Sequence, residues 1–262
     1  MLPMRRDGHR LLTIGFSHFC EKARWALDRA GVPYREEPHL PVFHVLPTRR
    51  LSRRTSTPLL ALADGRILQD STEILRFADE HLAPGDRLFP EDGVAASAVA
   101  ALEAELDDGL GVDARVIAYD ALLPVLRRFS RDITRGVPRL ERALLWPTAG
   151  LARALIRRGY AVTPENARAA RARVDALFVR LAADLSDGRP FLTGDRFSAA
   201  DLSFAALASP ILNLGPRGPL LSPDRLPDPV RALIDGYRAT PAGAYAVRLY
   251  AAHRAARVAA AP

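Results

Sequence analysis

The sequence predicts a small mixed α/β domain followed by an all-helical one. Three observations carry this. A short apolar run, Leu11-Leu12-Thr13-Ile14, turns almost at once into an amphipathic stretch that stops at Gly31. Asp64-Gly65 separates two short apolar runs, the pattern of a two-residue hairpin. After Gly93 strand signals vanish and helical periodicity takes over.

The first strand is Leu11 to Ile14, and the helix behind it ends at Gly31. Pro33-Tyr34-Arg35-Glu36-Glu37 is the second strand. A Pro- and Arg-rich connection with little periodicity runs from Pro38 to Thr57. Leu59 to Leu62 and Arg66 to Gln69 are the two arms of the hairpin. A helix begins at Asp70-Ser71-Thr72-Glu73, where Asp70 and Glu73 have capping-box spacing, and runs to about His81. Pro84, Gly85 and Pro90 mark a linker. Helices are then predicted over Ala98 to Leu110, Ala114 to Phe129, Leu140 to Arg158 and Glu165 to Leu185. Ser198 to Asp201 starts another by a second capping box, and a final pair covers Pro229 to Arg257. The expected domains are 9–83 and 94–262.

At 262 residues, with 48% hydrophobic and 26% charged content, the chain can bury a sizeable core. No apolar run approaches the ~20 residues that span a bilayer. Met1 to Arg10 lack an apolar signal core, so secretion is not expected. Cys20 is the one cysteine, which excludes an intramolecular disulfide and favours a reducing compartment, the cytoplasm. The Arg-for-Lys bias and abundant alanine suggest a GC-rich bacterial genome.

The net charge of +7 is matched by one segment, 127–158, where nine arginines face only Asp132 and Glu141. The plainest reading is a solvated face. The alternative is a docking surface for a membrane or an acidic partner. No nucleic-acid reader motif accompanies the charge, so nucleic acid is not an expected partner. His18, His39 and His44 lack tight ligand spacing, so they are read as surface histidines and no metal is assigned.

The chemistry concentrates at the first strand–helix turn, Phe16-Ser17-His18-Phe19-Cys20-Glu21-Lys22-Ala23-Arg24. A helix start aims unpaired N–H groups at whatever lies above it and favours an anion there. Ser17 and Cys20 lie one helical turn apart at that end, where a thiolate can be held. Either residue also has a plainer use: Ser17 as a helix cap, Cys20 as a small buried apolar side chain.

Three motifs together resemble the glutathione S-transferase superfamily, over nearly the whole chain. Ser17 to Arg24 is similar to the active-site turn of omega- and zeta-type enzymes. Ser56-Thr57-Pro58-Leu59-Leu60, with Asp64-Gly65, Asp70-Ser71 and Ile74, is similar to the family's cis-proline hairpin and its acid-Ser helix start. Phe191 to Asp201 is similar to the capping box of its helical domain. The resemblance implies a thioredoxin-like N-terminal domain, an all-α C-terminal domain and a homodimer. It also implies glutathione as cosubstrate beside a small electrophile. On that reading Ser17 stabilises the thiolate, and Thr57, before a cis Pro58, pairs with the ligand's backbone. Asp70 takes the ammonium and Ser71 a carboxylate. Arg53 and Arg54 lie near where a cation for the glycine carboxylate belongs. Phe16, Phe19 and Tyr119 are candidates for the apolar half of the cleft. Omega-type enzymes carry a nucleophilic cysteine where this chain has Ser17. Two rival readings remain: a thiol transferase or isomerase working through Cys20, and a non-enzymatic binding module.

Overall fold

The structure is a computed structural model that describes residues 8–216 and 218–254. It has a thioredoxin-like N-terminal domain on a four-stranded sheet and a large helical C-terminal domain. The strands are β1 (His9–Ile14), β2 (Tyr34–His39), β3 (Leu59–Ala61) and β4 (Ile67–Leu68), in the order β2-β1-β3-β4. β1 and β2 are parallel and joined through α1 (His18–Arg29); β3 and β4 run antiparallel to their neighbours. α3 (Ser71–Asp79) returns over the sheet onto α1.

Register decides where the chemistry lands. Leu12 faces Leu59 across β1 and β3, and Leu60 faces Leu68 across β3 and β4. The end of β1, the start of β3 and the end of β4 therefore lie at one edge of the sheet. Ser17, Thr57 and Asp70 each follow or precede one of those three points.

Two details of this domain differ from expectation. β2 runs on through Pro38 to His39. It is an edge strand, where a missing backbone N–H is tolerated. The connection after it also folds one short helix, α2 (Val45–Arg49).

The helical part comprises α4 (Gly93–Leu106), α5 (Val112–Leu122), α6 (Ser130–Ile133), α7 (Arg139–Gly159), α8 (Pro164–Asp184), α9 (Ala199–Leu212), α10 (Asp228–Ala239) and α11 (Pro241–His253). α4 starts earlier than expected because Asp92 caps it, its carboxylate accepting the Val94 N–H. It passes through a π-helical turn, Asp107–Gly111, into α5. The helix expected over 114–129 breaks at Leu122, because Pro124 forces the 3₁₀ segment Leu123–Phe129. Among the described residues no strand follows Gly93; only the single bridges Phe191–Gly194 and Gly215–Gly218 occur. The stretch 255–262, including the end of the expected last helix, lies outside the described residues. No described helix is long and apolar enough to cross a membrane.

α9 is the centre of the helical part, with every residue but Pro210 buried. Asp201 organises it. One carboxylate oxygen accepts from the Ser198 backbone and hydroxyl at 2.8 Å each, and the other from Leu192 N–H and the Tyr245 hydroxyl. α1 packs on α9 from the other side. That explains why α1 is buried almost all round, with Trp25, Ala23, Ala26 and Leu27 inaccessible.

Two polar clusters join the domains. Arg254, beyond α11, reaches Glu21 at 2.7 Å and Asp28 at 2.9 Å on α1. Lys22, fully buried, holds both oxygens of Asp107 at 2.7 Å, the Glu103 carboxylate, and the Thr72 hydroxyl at 3.2 Å. The three donors of one ammonium thus face groups on α3, α4 and the π-turn.

Candidate functional site

Ser17 is the extended N-cap of α1. Its Oγ accepts from the Cys20 N–H at a long 3.4 Å, while its own N–H is tied to the Ile14 carbonyl at 2.9 Å. It is half-buried, at the wall of a cavity of about 260 Å³. Its capping role and its access to the cavity therefore coexist.

Cys20 does not share that access. It is fully buried. Burial pushes its thiol pKa up, and this outweighs the opposing pull of Arg24, the Ile14 backbone and the Ser17 and Thr57 side chains. The helix start that could hold a thiolate holds a neutral thiol at Cys20.

Thr57–Pro58 is cis. Thr57 is half-buried and lines the same cavity as Ser17; Pro58 is buried behind it. Gln69, at the end of β4, fixes this loop. Its Nε2 donates to the carbonyls of Arg54 at 3.0 Å and Ser56 at 2.9 Å. Asp70 is the exposed N-cap of α3 and accepts from Thr72 N–H at 2.8 Å. The expected capping box is shifted by one residue, because Glu73 reaches back to the Gln69 N–H rather than to that of Asp70. Ser71 is buried in the first turn of α3.

The candidates therefore divide. Ser17 and Thr57 line the cavity, and so do Phe16, Phe19 and Tyr119. Pro58, Asp70 and Ser71 do not line it; they sit on the same sheet edge, outside the cavity. Arg53 and Arg54 are exposed.

The histidines correct the surface reading. His18 is buried, and its Nε2 lies 2.7 Å from the Gly111 carbonyl. A carbonyl only accepts, so Nε2 carries the proton. Burial, with the charge of Arg115 nearby, holds the His18 pKa down to about 3, so the ring is neutral at pH 7. His39 Nδ1 lies 2.6 Å from Glu141 on α7, whose other oxygen accepts the Leu40 N–H. His44 lines the cavity, its pKa lowered by burial. Among the described residues no group of three or more His, Cys, Asp or Glu could hold a metal.

Sequence reasoning missed Arg115 and Tyr160. Arg115 lies one helical turn before Tyr119 on α5, and that i,i+4 spacing was the available signal. Its guanidinium sits over the Phe19 ring at 5.0 Å and the Tyr160 ring at 4.6 Å. Tyr119 stacks on Tyr160 with centroids 5.6 Å apart.

The basic segment is not a plain solvated face. Leu140, Leu144, Leu151 and Leu155 are exposed on α7, Leu140 by 71% and Leu151 by 66%. At ~100° per residue they fall within about 60° of arc, a continuous apolar stripe.

Residues 16–81 match the family model "Glutathione S-transferase, N-terminal domain". No curated protein matches the chain. Among solved structures the chain is similar to a glutathione S-transferase from Sinorhizobium meliloti 1021, at 19% identity and TM-score 0.57, over 92% of this chain and 93% of that one. It is similar to the β-etherase LigF from Sphingobium sp. strain SYK-6, at 18% identity and TM-score 0.58, over 92% and 99%. It is also similar to a theta-class glutathione S-transferase from Xanthomonas axonopodis pv. citri with glutathione bound, at 18% identity and TM-score 0.58, over 96% and 99%. Residues 16–81 thus match the N-terminal domain of glutathione S-transferases, and the chain along its length shares the fold of these solved structures.

Proposed function

We propose that the protein is a glutathione transferase in which the Ser17 hydroxyl stabilises the glutathione thiolate for attack on an electrophile in the adjoining cavity. The observation that carries this is the contrast between Ser17, at the cavity wall and at the positive end of α1, and Cys20, fully buried behind it. Cys20 as the working nucleophile is opposed by that burial and by its raised thiol pKa.

The rest of the sheet edge suits an extended tripeptide. Thr57 would offer backbone groups for strand-like pairing. Asp70, exposed at the start of α3, would accept the ammonium, and the Ser71 N–H at the same helix start would serve a carboxylate. With the tripeptide so held, the thiolate lone pair forms the bond to the electrophile's carbon while that carbon's bond to its leaving group breaks and the leaving group departs with the electron pair. The Ser17 hydroxyl gives up its stabilising hydrogen bond as the charge leaves sulfur.

The test is the ultraviolet absorbance of the thiolate against pH, with glutathione saturating, in wild type, Ser17→Ala and Cys20→Ser. A charge-assisted hydrogen bond contributes roughly 1.5–3 kcal/mol, or about one to two pKa units. Ser17→Ala should raise the bound thiol's pKa by that amount and lower turnover about tenfold to a hundredfold, with Cys20→Ser unchanged. Asp70→Ala should instead raise the apparent glutathione constant with a smaller effect on turnover. A titration that does not move in Ser17→Ala reduces Ser17 to a helix cap. On this reading the protein works in a reducing, glutathione-containing compartment, the cytoplasm, and as a homodimer, which sedimentation of the purified protein tests.

A second reading concerns α7. Its exposed leucine stripe, flanked by arginines, suits contact with an anionic membrane surface. Co-sedimentation with phosphatidylglycerol vesicles but not with phosphatidylcholine, lost in Leu140→Asp/Leu151→Asp, is the expected result. Equal recovery with both lipids removes the reading.

A further inference from the structure

The cavity beside Ser17 has about 260 Å³, just below the ~300–1,000 Å³ typical of small-molecule sites. Its wall is mostly aromatic and aliphatic, and among the described residues no Asp or Glu belongs to it. His18 and His44, the other ionisable bases there, are kept uncharged at pH 7 by burial. The Tyr119 hydroxyl, its pKa raised by burial, stays protonated. Among the described residues Arg115 is therefore the one formal charge that lines the cavity. Among the described residues it has no carboxylate partner, only the faces of Phe19 and Tyr160.

Two aromatic faces orient a guanidinium without neutralising it. Its N–H fork remains available, in a setting where the surrounding rings screen poorly. A neutral apolar ligand would fill the space and leave that charge uncompensated. An apolar ligand with one anionic group would satisfy both walls at once.

We propose that the cavity takes a one- or two-ring aromatic compound bearing a carboxylate or similar anion, with the anion on Arg115 and the ring among Phe16, Phe19 and Tyr119. That this compound is the electrophilic second substrate rests on the transferase reading above. The cavity's preference for an anion does not. Arg115 then sets specificity, because it rejects neutral analogues of the same shape.

The experiment compares 2-naphthoate with its neutral isostere 2-naphthamide by calorimetry. Wild type should bind the naphthoate at least tenfold more tightly, and rising salt should weaken naphthoate binding while leaving naphthamide unaffected. Arg115→Gln should bring the ratio to about one with naphthamide affinity within threefold of wild type, and Arg115→Lys should retain part of the preference. Equal affinities in wild type, no measurable naphthoate binding, or a preference that survives in Arg115→Gln overturns the proposal. Glutathione affinity is measured alongside. If Arg115→Gln loses glutathione tenfold and keeps the naphthoate ratio, Arg115 serves glutathione and the proposal fails. If wild type binds no glutathione yet prefers naphthoate, the transferase reading fails and this one stands. The salt arm uses wild type alone, so it decides even where a variant does not fold.

Discussion

Replacing Lys22 by methionine should cost more stability than any change at the surface, and the cost should depend on pH. The Lys22 ammonium lies 2.7 Å from Asp107 and also holds Glu103 and Thr72. Methionine fills the stem's space and removes the charge, leaving two neighbouring carboxylates, of which Glu103 is only 3% exposed. Removing one partner from a buried ion pair costs ~3–5 kcal/mol. In a chain of this size 1 kcal/mol moves Tm by roughly 2–4 °C, so a fall of about 6–20 °C is expected near neutral pH. Asp107 is already held above the usual carboxylate range by burial, against the downward pull of Lys22. Without that pull the folded-state Asp107 carboxyl rises further above its unfolded value. Such groups lend stability below the unfolded pKa and lose it as pH climbs through the folded one. The gap between variant and wild type should therefore narrow between about pH 7.5 and pH 4.5. Thermal unfolding followed by circular dichroism at both pH values is the assay, with Lys22→Met/Glu103→Gln expected to recover part of the loss. A fall below about 2 °C, or a gap that is the same at both pH values, would refute the reasoning.

Two further tests probe the cavity's neighbourhood. A Cβ at Gly111 would stand 2.5 Å from Phe19 Cζ and 3.2 Å from Leu207 Cδ2, so Gly111→Ala should cost ~1–3 kcal/mol and shift the ring under Arg115, read as lost stability with weakened aromatic-probe binding; unchanged probe affinity would count against it. Cys20 should react with a disulfide reagent only on unfolding, given its burial and raised thiol pKa; a full thiol equivalent released within seconds from the native protein would contradict the structure.

What was legible in the sequence is what local chemistry writes. The β1–α1 turn, the Asp64-Gly65 hairpin and the Ser198–Asp201 capping box each use residues a few positions apart. The losses share one physical cause, partners far along the chain. His18 looked like a surface residue because its acceptor, Gly111, is 93 residues away, and His39 because Glu141 is 102 away. Cys20 is covered by elements that periodicity in α1 cannot reveal. The setting of Arg115 is not written locally, because the rings that orient it come from α1 and from Tyr160, beyond α7. The break at Leu122 was different: Pro124 was visible, and the apolar pattern running past it masked its effect.

Lys22 is the chain's single lysine, and it sits where α1, α3 and α4 meet. Every other strong base is a guanidinium. Among side chains, then, amine-directed chemistry such as acylation, aldehyde fixation or enzymatic acyl conjugation has one target, and that target is sealed in the seam between the domains. A succinimidyl ester can reach it only when the seam parts. Under native conditions the rate of Lys22 acylation, read by mass spectrometry, therefore counts domain-separation events directly, against a surface that contributes no lysine background.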